Sequence, residues 1–243
     1  MTLSKKVFIT HCVILISTLF LQTSLASELI VPIFKADYTL HHNDIQIGHV
    51  ALTVKKSGAA QYQLTSSTKT SGLLSFIRDD DVEESSLFDL YNGRIRPLSY
   101  HYKADLGDSQ KDIILNFDWS KLKVSNSIAG RSWKLAITDG VIDKALMQIA
   151  LMHDLADNDA SLSYQIADGG RLKNYVFTRI GTEKITLDGR QYDTIKLARK
   201  KDDKPLITYY WCAKSLANLP VLLRREKKYG TFEMRLDQVK FSD

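Results

Sequence analysis

The chain has almost no cysteine, a single modest apolar run and none of the short signatures that announce an enzyme. Each absence removes a class of explanation. Of 243 residues two are cysteine, Cys12 and Cys212. Cys12 falls in an expected N-terminal leader, so Cys212 has no partner, and packing must hold the mature fold without a disulfide. Within Tyr209-Tyr210-Trp211-Cys212 it reads as a buried strand residue and not as a reactive thiol. There is no HExxH and no cysteine cluster, and His41, His42, His49, His101 and His153 are not spaced as zinc ligands. Folding about Asn43-Asp44 sets His49 opposite Tyr38, which keeps it from facing His41. The acidic run Asp79-Asp80-Asp81 with Glu83 and Glu84 lacks the spacing and glycine of a calcium loop. No metal and no cofactor are expected.

Catalytic patterns are missing in the same way. There is no GxSxG elbow, the single remaining cysteine has no base nearby in sequence, and Gly169-Gly170 lies between strands, where it cannot cradle a phosphate at a helix start. Glu183 and Asp193 are placed to face each other across a hairpin, but carboxylate pairs arise by chance among 28 acidic residues. The formal charge is +5, and the leader carries two of the lysines. So small an excess does not suit a nucleic-acid partner.

The one apolar run reads as an export signal. Lys5 and Lys6 precede a mostly apolar stretch over residues 7–21, and Ser24-Leu25-Ala26 puts small residues where a signal peptidase reads. The run is short of the ~20 residues that span a bilayer, and His11 and Cys12 dilute it. The residues before Cys12 are not those of a lipoprotein signal. Cleavage after Ala26 is expected, leaving residues 27–243 as one β-rich domain in the periplasm.

What the mature chain does have is alternation. Residues 92–119 read as two antiparallel strands about Leu106-Gly107-Asp108: Ile95, Leu98, Tyr100 and Tyr102 interleave with Arg94, Arg96, His101 and Lys103, then Ile113, Leu115 and Phe117 lead to Trp119. Pro97 cannot donate to a ladder, so its strand belongs at an edge or a bulge. Similar strands fill 34–54, 61–70, 82–91, 122–137 and 161–241, with turns at Asn43-Asp44, Ala129-Gly130, Asp188-Gly189 and Gly230. One interruption has helical spacing: Ile142, Ala145, Leu146, Ile149 and Met152, with Thr138 or Asp139 able to cap it. The expected fold is therefore mainly β, an antiparallel meander curled into a roll or half-open barrel, with one amphipathic helix near residues 141–155.

Several segments in order carry a resemblance: the Arg-Pro-Leu-x-Tyr core over Arg96 to Tyr100, Asn116-Phe117-Asp118-Trp119, Asp139-Gly140 ahead of Asp143, Ala167-Asp168-Gly169-Gly170, Gly181-Thr182-Glu183, and Trp211-Cys212-Ala213 through Leu219-Pro220-Val221. In this the chain resembles the exported bacterial family catalogued as domain of unknown function 3108, over nearly the whole mature length. Lys214-Ser215 departs from the more acidic or turn-like pair expected there. The resemblance implies a periplasmic β-rich protein and brings no catalytic residues.

Binding is then the leading expectation. A curled sheet has a concave apolar face able to hold an acyl chain or another amphiphile. Leu73, Leu74, Phe76, Tyr100, Tyr102, Phe117, Trp119, Met147 and Trp211 are the expected ligand-binding residues, and Arg224, Arg225, Lys227 and Lys228 the expected head-group contacts. The alternative is a structural or adaptor protein that docks an envelope protein through a sheet edge such as the Pro97 strand. A hydrolase of an envelope polymer comes third, because it requires a convergent nucleophile or carboxyl pair.

Overall fold

Local alternation and tight turns build one large sheet. The computed structural model describes residues 31–71, 81–107, 109–157, 162–201 and 207–242. The first arm comprises β1 (Ile33–His42), β2 (Ile45–Lys56), β3 (Gln61–Thr70), β4 (Asp81–Tyr91), β5 (Arg94–Asp105), β6 (Gln110–Asp118), β7 (Lys123–Ile128) and β8 (Arg131–Ala136). The second comprises β9 (Ile142–Asp143), β10 (Ser163–Asp168), β11 (Arg171–Leu187), β12 (Arg190–Lys201), β13 (Ile207–Ala213), β14 (Leu219–Lys227) and β15 (Gly230–Ser242). Asn43 and Asp44, and again Asn92 and Gly93, are consecutive residues with positive φ, the turn whose twist matches the strands it joins.

Each arm is a meander, and the arms join at β1 and β15. The order runs β8 to β1, then β15 down to β9. Ile33 lies opposite Ser242 and Tyr38 opposite Leu236. All pairs are antiparallel except the last, where Ile142 of β9 runs parallel beside Ile166 of β10.

The sheet curls but does not close by a ladder between β8 and β9. Its ends overlap instead. Tyr164 and Ile166 of β10 belong to the main core, whereas Ala167 on the opposite face packs into a second core with Tyr100, Leu115 and Val124 of the first arm. The second arm's edge is therefore tucked inside the first arm, covered on both faces.

The main core rests on the inward residues of alternating strands: Phe34, Ala36 and Tyr38 on β1, Val50, Leu52 and Val54 on β2, Ile195 and Leu197 on β12. The helix, α1 (Met147–Asp154), joins this core. It is shorter than the segment 141–155 read from the periodicity. Asp143 explains the late start: its buried carboxylate accepts hydrogen bonds from the Ser86 hydroxyl at 2.5 Å and the Leu146 amide at 3.0 Å, so this residue caps the turn before α1. Nor is the helix amphipathic in the ordinary sense. Ile149, Ala150, Leu151 and Met152 are buried in succession, which covers most of its circumference.

Bulges change several readings made from the alternation alone. Pro97 is not on an edge strand, because β5 lies between β4 and β6; it stands beside a register shift at Leu87/Phe88. A shift at Leu40/His41 moves His49 opposite Thr39 and not Tyr38, and His41 still does not face it. Glu183 lies opposite Thr194, and Asp193 opposite Lys184, so the two carboxylates are not paired. The segment read as a leader and the segment with Leu73, Leu74 and Phe76 lie outside the described residues. Among the described residues no helix is long and apolar enough to cross a membrane.

Candidate functional site

Inside the curl, residues from both arms enclose a cavity of about 440 Å³. Tyr100 and Tyr102 of β5 with Lys111 and Ile113 of β6 form one wall. Opposite stand Asp168, Tyr175, Arg199, Tyr210 and Arg225, with Lys144 from the segment leading into α1 and Met147 from its first turn. Beside it, toward the β1–β2 and β14–β15 turns, runs a groove of about 320 Å³ lined by Leu40, Ile47, Leu223, Phe232 and Met234, with His41, Thr208, Lys227 and the Arg224–Glu233 pair at its border. Arg225 lines both spaces. One trough thus has an apolar end and a cationic end, and each part falls in the ~300–1,000 Å³ range of small-molecule sites.

The register explains why Arg225 reaches inward. Tyr210 pairs with Leu223, and Thr208 with Arg225, so these four share the concave face, while Arg224 and its partner Glu233 fall on the other. Arg225 Nε donates to Thr208 Oγ1 at 2.9 Å. Arg199 pairs with Thr208 from the other side and continues the inward row of Ile195 and Leu197.

The polar groups at this end divide into compensated and uncompensated ones. The Tyr100 hydroxyl donates to Glu84 Oε1 at 2.5 Å, and Lys144 Nζ lies 3.4 Å from the same oxygen. Burial, then the Glu84 charge, raises the Tyr100 phenol, which stays protonated. Burial also works to raise Asp168, but Lys173 at 2.7 Å and the Tyr175 hydroxyl at 3.1 Å outweigh it and hold this carboxyl below the usual range. Asp143 is fully buried, and desolvation pushes it up to about 7 against its hydrogen bonds from Ser86 and the backbone of Leu146 and Ala145. Arg199 is only 8% exposed; its guanidinium lies 4.6 Å from the centre of the Tyr175 ring, and its Nε has no hydrogen-bond partner. The residues lining this cavity include no serine, cysteine or histidine, so it offers donors and apolar surface, not a nucleophile with its base.

A family model described as Protein of unknown function (DUF3108) matches residues 37–237. The chain belongs to that family. A comparison with curated proteins found no match. Among solved structures, the beta-barrel-like protein of domain of unknown function DUF1849 from Brucella abortus is similar, with 8% identity, a TM-score of 0.55, and coverage of 88% of this chain and 99% of that one. At that identity the likeness is one of fold. It agrees with a rolled sheet that stops short of a closed barrel.

Of the residues read from sequence as ligand contacts, Tyr100, Tyr102, Met147 and Arg225 come together in the cavity, and Arg224 and Lys227 border the groove. Phe117 and Trp119 sit elsewhere, stacked 5.9 Å apart against the second core, with the Trp119 indole donating to the Pro97 carbonyl at 2.7 Å. Trp211 faces away from Tyr210, and its indole donates to Glu183 Oε2 at 2.9 Å. Arg224 is engaged by Glu233 at 2.5 Å, and Lys228 lies over the exposed Tyr229 ring. The sequence reading omits Arg199, Lys111, Lys144 and Asp168. For Arg199 the signal was present: it shares strand parity with Ile195 and Leu197, which puts it on their apolar face.

Proposed function

We propose that this protein works in the periplasm without catalysis and holds an amphipathic, lipid-like envelope component in its trough, as a carrier or an accessory in envelope biogenesis. The observation that carries the reading is the position of Arg225, shared by an apolar groove and a cationic cavity. A ligand with a hydrocarbon part and a polar head matches that division; a purely apolar ligand leaves the charged end desolvated without compensation. The leader over residues 1–26 supports the compartment.

The test is mass spectrometry of the mature protein, purified gently from the periplasm of its own host, under native and then denaturing conditions with organic extraction. An N-terminus at Ser27 and a co-purifying amphiphile are expected. A clean apo mass that takes up nothing from an envelope lipid extract overturns the reading and turns attention to a protein partner.

A further inference from the structure

We infer that the polar end of the trough is an oxyanion site centred on Arg199, and that it takes a phosphate group. The inference rests on the amphiphile reading and deepens it by naming the head. Arg199 is more than nine-tenths buried, and its Nε has no hydrogen-bond partner among the described residues. The rest of its guanidinium meets Tyr175 and Tyr210, but a buried charged group with an open donor and no counter-ion is costly, and natural structures rarely keep one unless a ligand or ion completes it.

Charge accounting points to phosphate. Lys111, Lys144, Arg199 and Arg225 line the cavity against one carboxylate, Asp168. Lys173 already neutralises Asp168, and Glu84 partly neutralises Lys144. Lys111, Arg199 and Arg225 have no ion pair among the described residues. A group carrying close to two negative charges and three or more acceptor oxygens suits that excess better than a single carboxylate.

Geometry agrees. Arg199 and Arg225 flank Thr208 on one face of β12, β13 and β14, about 10 Å apart at two strand spacings. Long side chains from that distance can converge on one anion. The phenols of Tyr175 and Tyr210 border the same space. Burial is the main cause that raises Tyr210, which keeps its proton, while the Tyr175 proton is already given to Asp168.

The test is calorimetric titration of the full mature chain and of Arg199→Gln with three probes: inorganic phosphate, dodecyl phosphate and dodecyl maltoside. Dodecyl phosphate is expected to bind the native chain, and Arg199→Gln to weaken it roughly tenfold or more, since a charge-assisted hydrogen bond is lost. Melting temperature should change little, because losing the contact with the Tyr175 ring is offset by removing a buried charge that has no counter-ion among the described residues. Equal binding of inorganic and dodecyl phosphate, both lost in the variant, would keep the anion site and overturn the amphiphile reading. Dodecyl phosphate and maltoside binding alike, with Arg199→Gln indifferent, would overturn the anion site and keep the amphiphile. Failure of all three overturns both. Should Arg199→Gln not fold, Arg225→Gln carries the same comparison.

Discussion

Trp133 lies directly on Gly170. The indole N–H donates to the Gly170 carbonyl at 3.3 Å, and a Cβ at Gly170 would stand 2.0 Å from Trp133 Cζ2. Trp133 is on β8, one end of the sheet, and Gly170 lies in the turn between β10 and β11, close to the other, so this contact fastens the overlap. Gly170→Ala adds that clash to a left-handed φ of +78°. Thermal unfolding should show a loss of about 2 kcal/mol or more, and limited proteolysis should cut near β8 earlier than in the native chain.

Asp143 gives the fold a pH dependence of known sign. The buried carboxyl titrates at about 7, against ~3.9 when unfolded. Between those values the folded chain keeps a proton that the unfolded chain has lost, so this residue's contribution is full below about pH 4 and is lost as pH rises toward 7. Its size is roughly 4 kcal/mol at most. Asp143→Asn keeps an acceptor for the Leu146 amide and has no charge to bury. The difference in denaturant stability between native chain and variant, measured from pH 4 to 8, should change in favour of the variant as pH rises; a flat difference contradicts the assignment.

Arg224 and Arg225 are neighbours with opposite surroundings. Arg224→Ala leaves Glu233, a buried carboxylate, with Arg235 as its remaining cation, so it should cost about 1–3 kcal/mol in stability and, since Arg224 only borders the groove and is held by Glu233, weaken amphiphile binding less than Arg225→Ala does. Arg225→Ala should do the reverse, weakening binding roughly tenfold with a smaller effect on melting. Paired unfolding and titration of the two variants checks this.

Cys212 should be inert. Burial pushes its thiol up to about 12, and its side chain is fully enclosed. A thiol reagent at pH 8 should label it within seconds in denaturant and, in the native chain, only at the rate of opening.

The hairpins were legible from sequence because their turns demand particular residues: Asn43-Asp44, Asn92-Gly93, Ala129-Gly130 and Asp188-Gly189 all take positive φ. Family membership was legible from the order of segments. The faces were harder. Bulges at Asp37/Tyr38, Leu40/His41, Leu87/Phe88, Arg179/Gly181 and Trp211/Cys212 each break the two-residue period. Alternation cannot sort Tyr209-Tyr210-Trp211-Cys212 either, since all four look apolar, and Trp211 ends opposite the face that Tyr210 lines. The cavity itself depends on residues of two arms that lie far apart in the chain, from Tyr100 to Arg225, and no local pattern encodes such a meeting. Arg199 directly precedes the charged run from Lys200, and only its parity with Leu197 marks it as inward-facing.

The pairing of β1 with β15 ties the beginning of the described chain to its end. Ile33 and Ser242 are cross-strand partners, about 5 Å apart. During synthesis β1 therefore waits, with one row of amides and carbonyls open, until the last strand arrives. Every other antiparallel neighbour can zip locally, so closing this pair carries most of the loop entropy and should govern the folding rate. The same proximity makes the protein suited to circular permutation: residues 33 and 242 joined by a short linker, with new ends at an existing hairpin turn, preserve every strand pair while turning the slowest contact into a local one.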